Sequence, residues 1–269
     1  MLKKIIPIAA LLLSALCLFA ACSKKTTAQA NALSIGVTAG PHAQILEFVR
    51  DQAKAQGLTV HIVEFNDFIL PNIALNEGDL DANCYQHQPF LDDQIRTRGY
   101  NLISLGKTIL LPMAIYSDKY KTLEELPEKA QVGIPNDPTN GSRALLLLQE
   151  KGLIHLKDNA GNTPSLLDIA GSPKQLNIIE IEAPQLPRSL PDLDAAIINT
   201  DWALVAGLDI KETTITQEST DSPYANIFVV RNFDKDKAIF EDFLNIYQST
   251  ATETYIQKTF GSAVIPAWK

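Results

Sequence analysis

From Leu33 onward the chain alternates short strand-like apolar runs with amphipathic segments, and this alternation limits the possible folds more than any other feature. "LSIGV" (33–37) is an apolar strand that ends in small residues. "PHAQILEFVRDQAKAQG" (41–57) follows, with Ile45, Phe48, Val49 and Ala53 on one helical face and Gly57 as the stop. In "LTVHIVEF" (58–65), Leu58, Val60, Ile62 and Glu64 alternate with Thr59, His61, Val63 and Phe65. A short helix (67–79, broken at Gly78), the strand end "DANCYQ" and a helix over 89–99 come next, before a long β-leaning run, "NLISLGKTILLPMAIYS" (101–117). Strand and helix at this spacing predict an α/β domain with a largely parallel sheet.

A second unit begins near Thr122, where Thr122 and Glu125 match a capping box. Strands are predicted at 131–135, 177–183 and 194–199, and helices at 139–152 and 201–207. "SPYANIFVVR" (222–231) reads as β, and two helices, about 234–248 and 251–260, end the chain. The two long β-like runs, 101–117 and 222–231, fall where a chain could cross between two lobes of about one hundred residues each. A cleft between such lobes is a common place for a small ligand.

The N-terminus reads as an export signal. "MLKK" is positively charged, and an apolar run leads to Cys22, after which the chain turns polar. The run is short for a bilayer span and contains Pro7. Ala20-Ala21-Cys22 resembles the lipobox of bacterial lipoproteins, with Phe19 where leucine is usual. This implies a signal over 1–21, lipidation at Cys22 and a flexible tether over 22–32. The implied place is outside the cytoplasm, anchored to the cell membrane or the outer membrane. Ser23 is not an inner-membrane retention aspartate. A net charge of −8 offers nothing basic to track phosphates, which argues against nucleic acid as a partner.

Of three cysteines, Cys17 leaves with the signal and Cys22 would carry lipid, so Cys84 stands alone with no disulfide partner. It lies in "DANCYQHQPF", three residues before His87. A nucleophile with its base, half a metal site and a pocket wall are all open from residue types. If 84–87 is extended, Tyr85 and His87 share one face, and Cys84 and Gln86 share the other. A Cys–His pair needs both groups within hydrogen-bond reach, and a zinc site needs further ligands. No phosphate loop, nucleophile elbow or zincin helix is present in the sequence. These points argue against a metal, a cofactor and an exported Cys/His hydrolase.

Three polar residues stand out on elementary grounds. Arg143 follows the turn-rich "PNDPTNGS" and falls in the first turn of a predicted helix. It is either an anion site or a solvated surface arginine. Asn199 ends the apolar run "DAAII". Thr200 or Asp201 could cap the next helix, leaving Asn199 to face a cleft. Asn226 interrupts a β-run that disfavours asparagine, so its amide needs a partner, either backbone or ligand.

The ordered stretches "IGVTAGPHAQILE", "FNDFILPNIALNEGDLDAN", "YQHQPFLD", "IPNDPTNGSRALLLLQ", "IEAPQLPRSLPD", "AAIINTDWA", "SPYANIFVVR" and "FGSAVIPAW" resemble the NlpA/MetQ family of methionine-uptake lipoproteins across nearly the whole mature chain. The resemblance implies a type II periplasmic-binding-protein fold of two α/β lobes, 33–115 plus 228–269 and 116–227, joined by two crossovers around a cleft. It implies a monomer that holds free methionine and delivers it to an ABC transporter permease and its ATPase. By motif, Arg143 would pair with the ligand carboxylate, and Asn199 and Asn226 would hold its α-amino and carboxylate groups. Tyr85, His87, Phe65 and Phe68 would line the side-chain end. Phe68 and Phe90 stand where family members often carry tyrosine, which makes that end less polar. Another apolar amino acid or a methionine-containing dipeptide is the alternative ligand.

Overall fold

Two five-stranded sheets, each covered by helices on both faces, organise the computed structural model, which describes residues 31–268. The signal segment and Cys22 lie outside the described residues. The first sheet runs, in spatial order, Thr59–Phe65, Ala32–Thr38, Ala82–His87, Asn226–Arg231 and Leu102–Lys107. The second runs Asn177–Ile181, Gln131–Pro135, Ala195–Ile198, Ala114–Tyr116 and Thr214–Gln217.

Parallel pairing holds only part of each sheet, short of the largely parallel sheet the sequence predicts. Asn226–Arg231 runs antiparallel to both of its neighbours, and Ala114–Tyr116 does the same in the second sheet. These are the strands at which the chain enters a sheet from the other lobe. The reversal is the signature of the crossovers.

The cores follow from the sequence periods. In the helix Pro41–Ala55, Ile45, Leu46, Val49 and Ala53 are fully buried against Ile35, Val37, Cys84 and Phe228. Phe240, Phe243 and Tyr247 of the helix Ala238–Tyr247 complete that cluster. Each buried isoleucine, leucine or valine contributes on the order of 1.5–3 kcal/mol. The other face of the sheet is closed by Leu75, Leu80 and Leu91 over Ile227 and Val229. In the second lobe, Leu145 and Leu148 of the helix Pro138–Glu150 cover Val132, Ile134 and Ile197. Leu186, Leu190 and Trp202 cover Tyr116 and Ile198 opposite.

The run 101–117 is not one strand. Leu102–Lys107 lies in the first sheet, Ile109–Leu110 pairs with Ile265–Pro266, and Ala114–Tyr116 lies in the second sheet. Pro112, which offers no N–H, sits at the break. The return passes from Thr214–Gln217 through an irregular stretch to a strand that starts only at Asn226. Ala114 and Ile115 therefore go with the second sheet and Asn226 and Ile227 with the first, two residues off the sequence-based division. The two crossovers are joined at both ends: Thr108 N donates to Asn226 O at 2.7 Å, and Glu218 N donates to Met113 O at 2.9 Å. The match at Thr122 forms only half a capping box. Glu125 accepts from the N–H groups of Lys121 and Thr122, but a turn follows and no helix.

The lobes meet closely. Gly40, with φ +86°, ends the turn after Ala32–Thr38, and a Cβ placed there would lie 2.5 Å from Val205 Cγ2 on the helix Thr200–Val205. The rings of Phe68 and Trp202, from opposite lobes, are 5.3 Å apart.

A closed cleft between the lobes

The strand Ala82–His87 builds the first wall. Its pairing with Asn226–Arg231 sets Gln86 opposite Ile227 and Cys84 opposite Phe228, so Tyr85 is passed over in a bulge. This corrects the simple alternation. Cys84 enters the apolar core beside Phe228, whereas Gln86 turns to Asn83 and Asn72, donating to their side-chain oxygens at 2.9 and 2.7 Å. Cys84 is 1% exposed, and burial pushes its thiol up to about 11, with Thr108 and Tyr247 as its hydrogen-bonding neighbours. The structure does not bring it to His87.

His87 sits at the N-cap of the helix Gln88–Arg98, where its Nδ1 accepts from Phe90 N at 3.2 Å. Its Nε2 lies 3.2 Å from Asn140 Oδ1 across the cleft. Asn140 Nδ2 donates to both oxygens of Asp137, which fixes Oδ1 as the free acceptor. His87 therefore carries its proton on Nε2 and donates to Asn140. Burial, and then the nearby Arg143 charge, lowers its pKa to about 3, so the ring is neutral. Asn199 Nδ2 donates to the same Asn140 oxygen at 2.8 Å. Asn199 takes the N-cap position of the helix Thr200–Val205, but its side chain does not cap it. Its own Oδ1 is buried with no partner among the described residues.

Asn226 opens its strand opposite His87 and donates to Tyr85 O at 3.2 Å. Its Nδ2 also lies 3.0 Å from Nε2 of His42, a ring that burial keeps neutral with a pKa of about 3. Tyr85 donates its hydroxyl to Phe68 O at 2.7 Å, and burial raises its pKa well above the ordinary value. Phe68, Tyr85, Phe90 and Trp202 form a connected aromatic wall, with ring centroids 5.3–6.3 Å apart.

Arg143 is 4% exposed and belongs to the second turn of its helix, so the surface-arginine reading is excluded. Its Nε donates to Glu218 Oε2 at 3.0 Å, and Nη2 bonds Glu218 Oε1 and donates to Leu111 O at 3.0 Å. The Tyr224 ring stacks beneath it, 4.4 Å from Cζ. Nη1 has no hydrogen-bond partner among the described residues.

Phe68, Tyr85, His87, Arg143, Asn199 and Asn226 line one small cavity. Phe65 is not among its lining residues; its ring packs on the core around Leu75 and Leu80, 3.2 Å from where a Gly36 Cβ would lie. Sequence reasoning missed Gln86, Asn140, Leu111, Thr200 and Asp201 in the lining. Asn140 had a signal, since it precedes Arg143 by three residues on a helix and so shares its face. Asp201 is buried with its carboxylate pushed up to about 6 by desolvation. The nearby N–H of Trp202 and the Arg143 charge oppose that shift.

Two sheet-centred lobes joined by two crossovers, with a cavity at their junction lined by Arg143, Asn199, Asp201 and aromatic rings, define a two-lobed substrate-binding protein of the periplasmic type. The family model described as NlpA lipoprotein matches residues 33–268, and the chain belongs to that family. It is 47% identical over 241 residues to the D-methionine-binding lipoprotein MetQ of Salmonella typhimurium, covering 88% of this chain and 89% of the relative. It is similar to a solved nutrient-binding protein from Burkholderia cenocepacia bound to methionine, at 46% identity and TM-score 0.85, covering 87% of this chain and 99% of that one. A periplasmic substrate-binding protein of an ABC transporter from Coxiella burnetii matches at 42% identity and TM-score 0.84, covering 87% of this chain and 100% of that one.

Proposed function

We propose that this chain captures free methionine in the interlobe cleft and delivers it to the permease and ATPase of an ABC importer, acting as a receptor and not as a catalyst. The observation that carries this reading is the pairing of unspent polar atoms with an aromatic wall in one buried cavity. Asn199 Oδ1, buried with no partner among the described residues, is available to an ammonium together with the Asp201 oxygen that does not accept from Trp202 N, and Arg143, whose hydrogen bonds to protein use Nε and Nη2, keeps Nη1 for a carboxylate. Asn226 supports the backbone-facing end of the site beside Tyr85 O. The aromatic wall suits a thioether, which gains from sulfur–ring contacts. The two lobes, with Ala114–Tyr116 in the second and Asn226–Arg231 in the first, would close over the ligand about the crossovers. A lipid anchor at Cys22 would keep the receptor, as a monomer, at the outer face of a cell membrane or on the outer membrane. The 47% identity to a D-methionine-binding lipoprotein supports the ligand.

Calorimetry on protein unfolded and refolded to strip bound ligand tests this, with L-methionine, D-methionine, leucine and a methionine-containing dipeptide as titrants. Saturable binding of at least one methionine enantiomer, tighter than of leucine or the dipeptide, is expected. No binding of either enantiomer would refute the methionine reading, and tighter binding of the dipeptide would replace it.

A further inference from the structure

Arg143 spends most of its donors on protein groups rather than leaving them for the cavity. Its helix belongs to the second lobe. Its protein partners belong to neither that helix nor a sheet. Leu111 O lies on the outgoing crossover, between Ile109–Leu110 and Ala114–Tyr116. Glu218 and Tyr224 lie on the return, between Thr214–Gln217 and Asn226–Arg231. The Glu218 main chain reaches the other crossover too, through its N–H to Met113 O at 2.9 Å. The guanidinium thus spans both segments that must flex when the lobes move.

We infer that Glu218 and Tyr224 are positioning residues that fix Arg143 across the two crossovers, so the group that meets a ligand carboxylate is also the group that ties the hinge. The inference rests on the reading that Arg143 Nη1 receives that carboxylate. The physical reason is economy of geometry. A guanidinium is a rigid fork with five donors, and Glu218 and Leu111 O take one edge and one end of it, leaving the Nη1 end aimed by default. Stacking on Tyr224 fixes the plane. A carboxylate arriving at Nη1 then tightens a network whose other members are the hinge itself, which is a direct way for occupancy to bias lobe closure. A pair that served stability alone would have no need of partners from both crossovers.

Glu218→Gln keeps the size and the hydrogen-bonding capacity of the side chain but removes the charge that aligns the fork. Two readouts are needed. The first is affinity for methionine and for methioninol, in which a hydroxyl replaces the carboxylate. The second is amide hydrogen exchange at Thr108 and Glu218 in the ligand-free protein, the two N–H groups that bridge the crossovers. The variant is expected to lose about ten-fold or more in methionine affinity. It should bind methioninol nearly as wild type does, and should exchange both amides faster. Equal losses for the two ligands, or unchanged exchange at both amides, would overturn the inference. If wild type binds neither methionine enantiomer, the methionine reading fails, and the exchange readout still decides whether the hinge is tied through Glu218. Should Glu218→Gln fold poorly, Tyr224→Leu leaves the ion pair in place and is expected to show the same pattern in weaker form.

Discussion

Arg143 and Arg231 are both almost wholly buried, at 4% and 8% exposure, and both pair with a carboxylate, a main-chain carbonyl and an aromatic ring. Only one of them faces the cavity. Arg231 bonds Asp234 three residues away and the carbonyls of Leu75 and Leu80, with Asp81 near its last nitrogen at 3.8 Å. Every nitrogen is engaged, and all partners belong to the first lobe. Arg143 draws its partners from two crossovers and keeps Nη1 in reserve. A buried ion pair by itself therefore says little about function. The informative features are a donor left over and partners that belong to moving segments.

Arg143→Ala should break this contrast most visibly. It removes the ligand contact and strands the Glu218 carboxylate, so methionine affinity measured by calorimetry should fall by about 2–5 kcal/mol, and folding stability should fall with it. Wild-type affinity in that variant would remove Arg143 from the site. Arg231→Ala should cost about 3–5 kcal/mol of stability in urea titration, while affinity per folded molecule stays unchanged. A loss of affinity there would erase the distinction drawn between the two arginines.

Acid should weaken the fold. His42 and His87 fall from 6.5 to about 3 in the native state, so between those values the unfolded chain binds more protons and stability is lost as pH falls. Asp201, raised from 3.8 to about 6, acts in the opposite sense over the upper part of that window. Two histidines outweigh one aspartate. Urea midpoints should therefore be lower at pH 4.5 than at pH 7, and a flat profile would mean that the rings are not held neutral.

The smaller effects concern "DANCYQHQPF". His87→Ala should weaken methionine binding by roughly ten-fold, because Asn140 loses one of the donors that orient it. Cys84→Ala should cost about 1 kcal/mol of stability and leave affinity unchanged. The native thiol should also resist alkylation at pH 8, since burial disfavours the thiolate.

Much of the fold was legible because the helical period of 41–57 and the strand alternation of 58–65 report burial directly. What escaped was set by contacts distant in sequence. Nothing in the run "QESTDS" marks Glu218, whose partner is 75 residues away. Tyr85 bulges because two strands from opposite ends of the chain meet there, and a single strand's alternation carries no trace of that. Phe65 lies away from the cavity for a related reason: its ring packs with Leu75 and Leu80 over the side-chain-free Gly36 of the neighbouring strand, a contact that the alternation of 58–65 alone does not reveal. The motif "NDPTNGSR" did give Arg143, and its helical spacing holds Asn140 as well.

The bare backbone at Gly40 sets a tolerance on how near the lobes can come. Its φ of +86°, and the 2.5 Å at which a Cβ there would meet Val205 Cγ2, leave no room for even a methyl group. Gly40→Ala would act as a doorstop. Cargo would still enter, but the door would stand ajar, and dwell time would shorten before any contact to the cargo itself was altered. In stopped-flow measurements that appears as a faster release with an almost unchanged rate of capture.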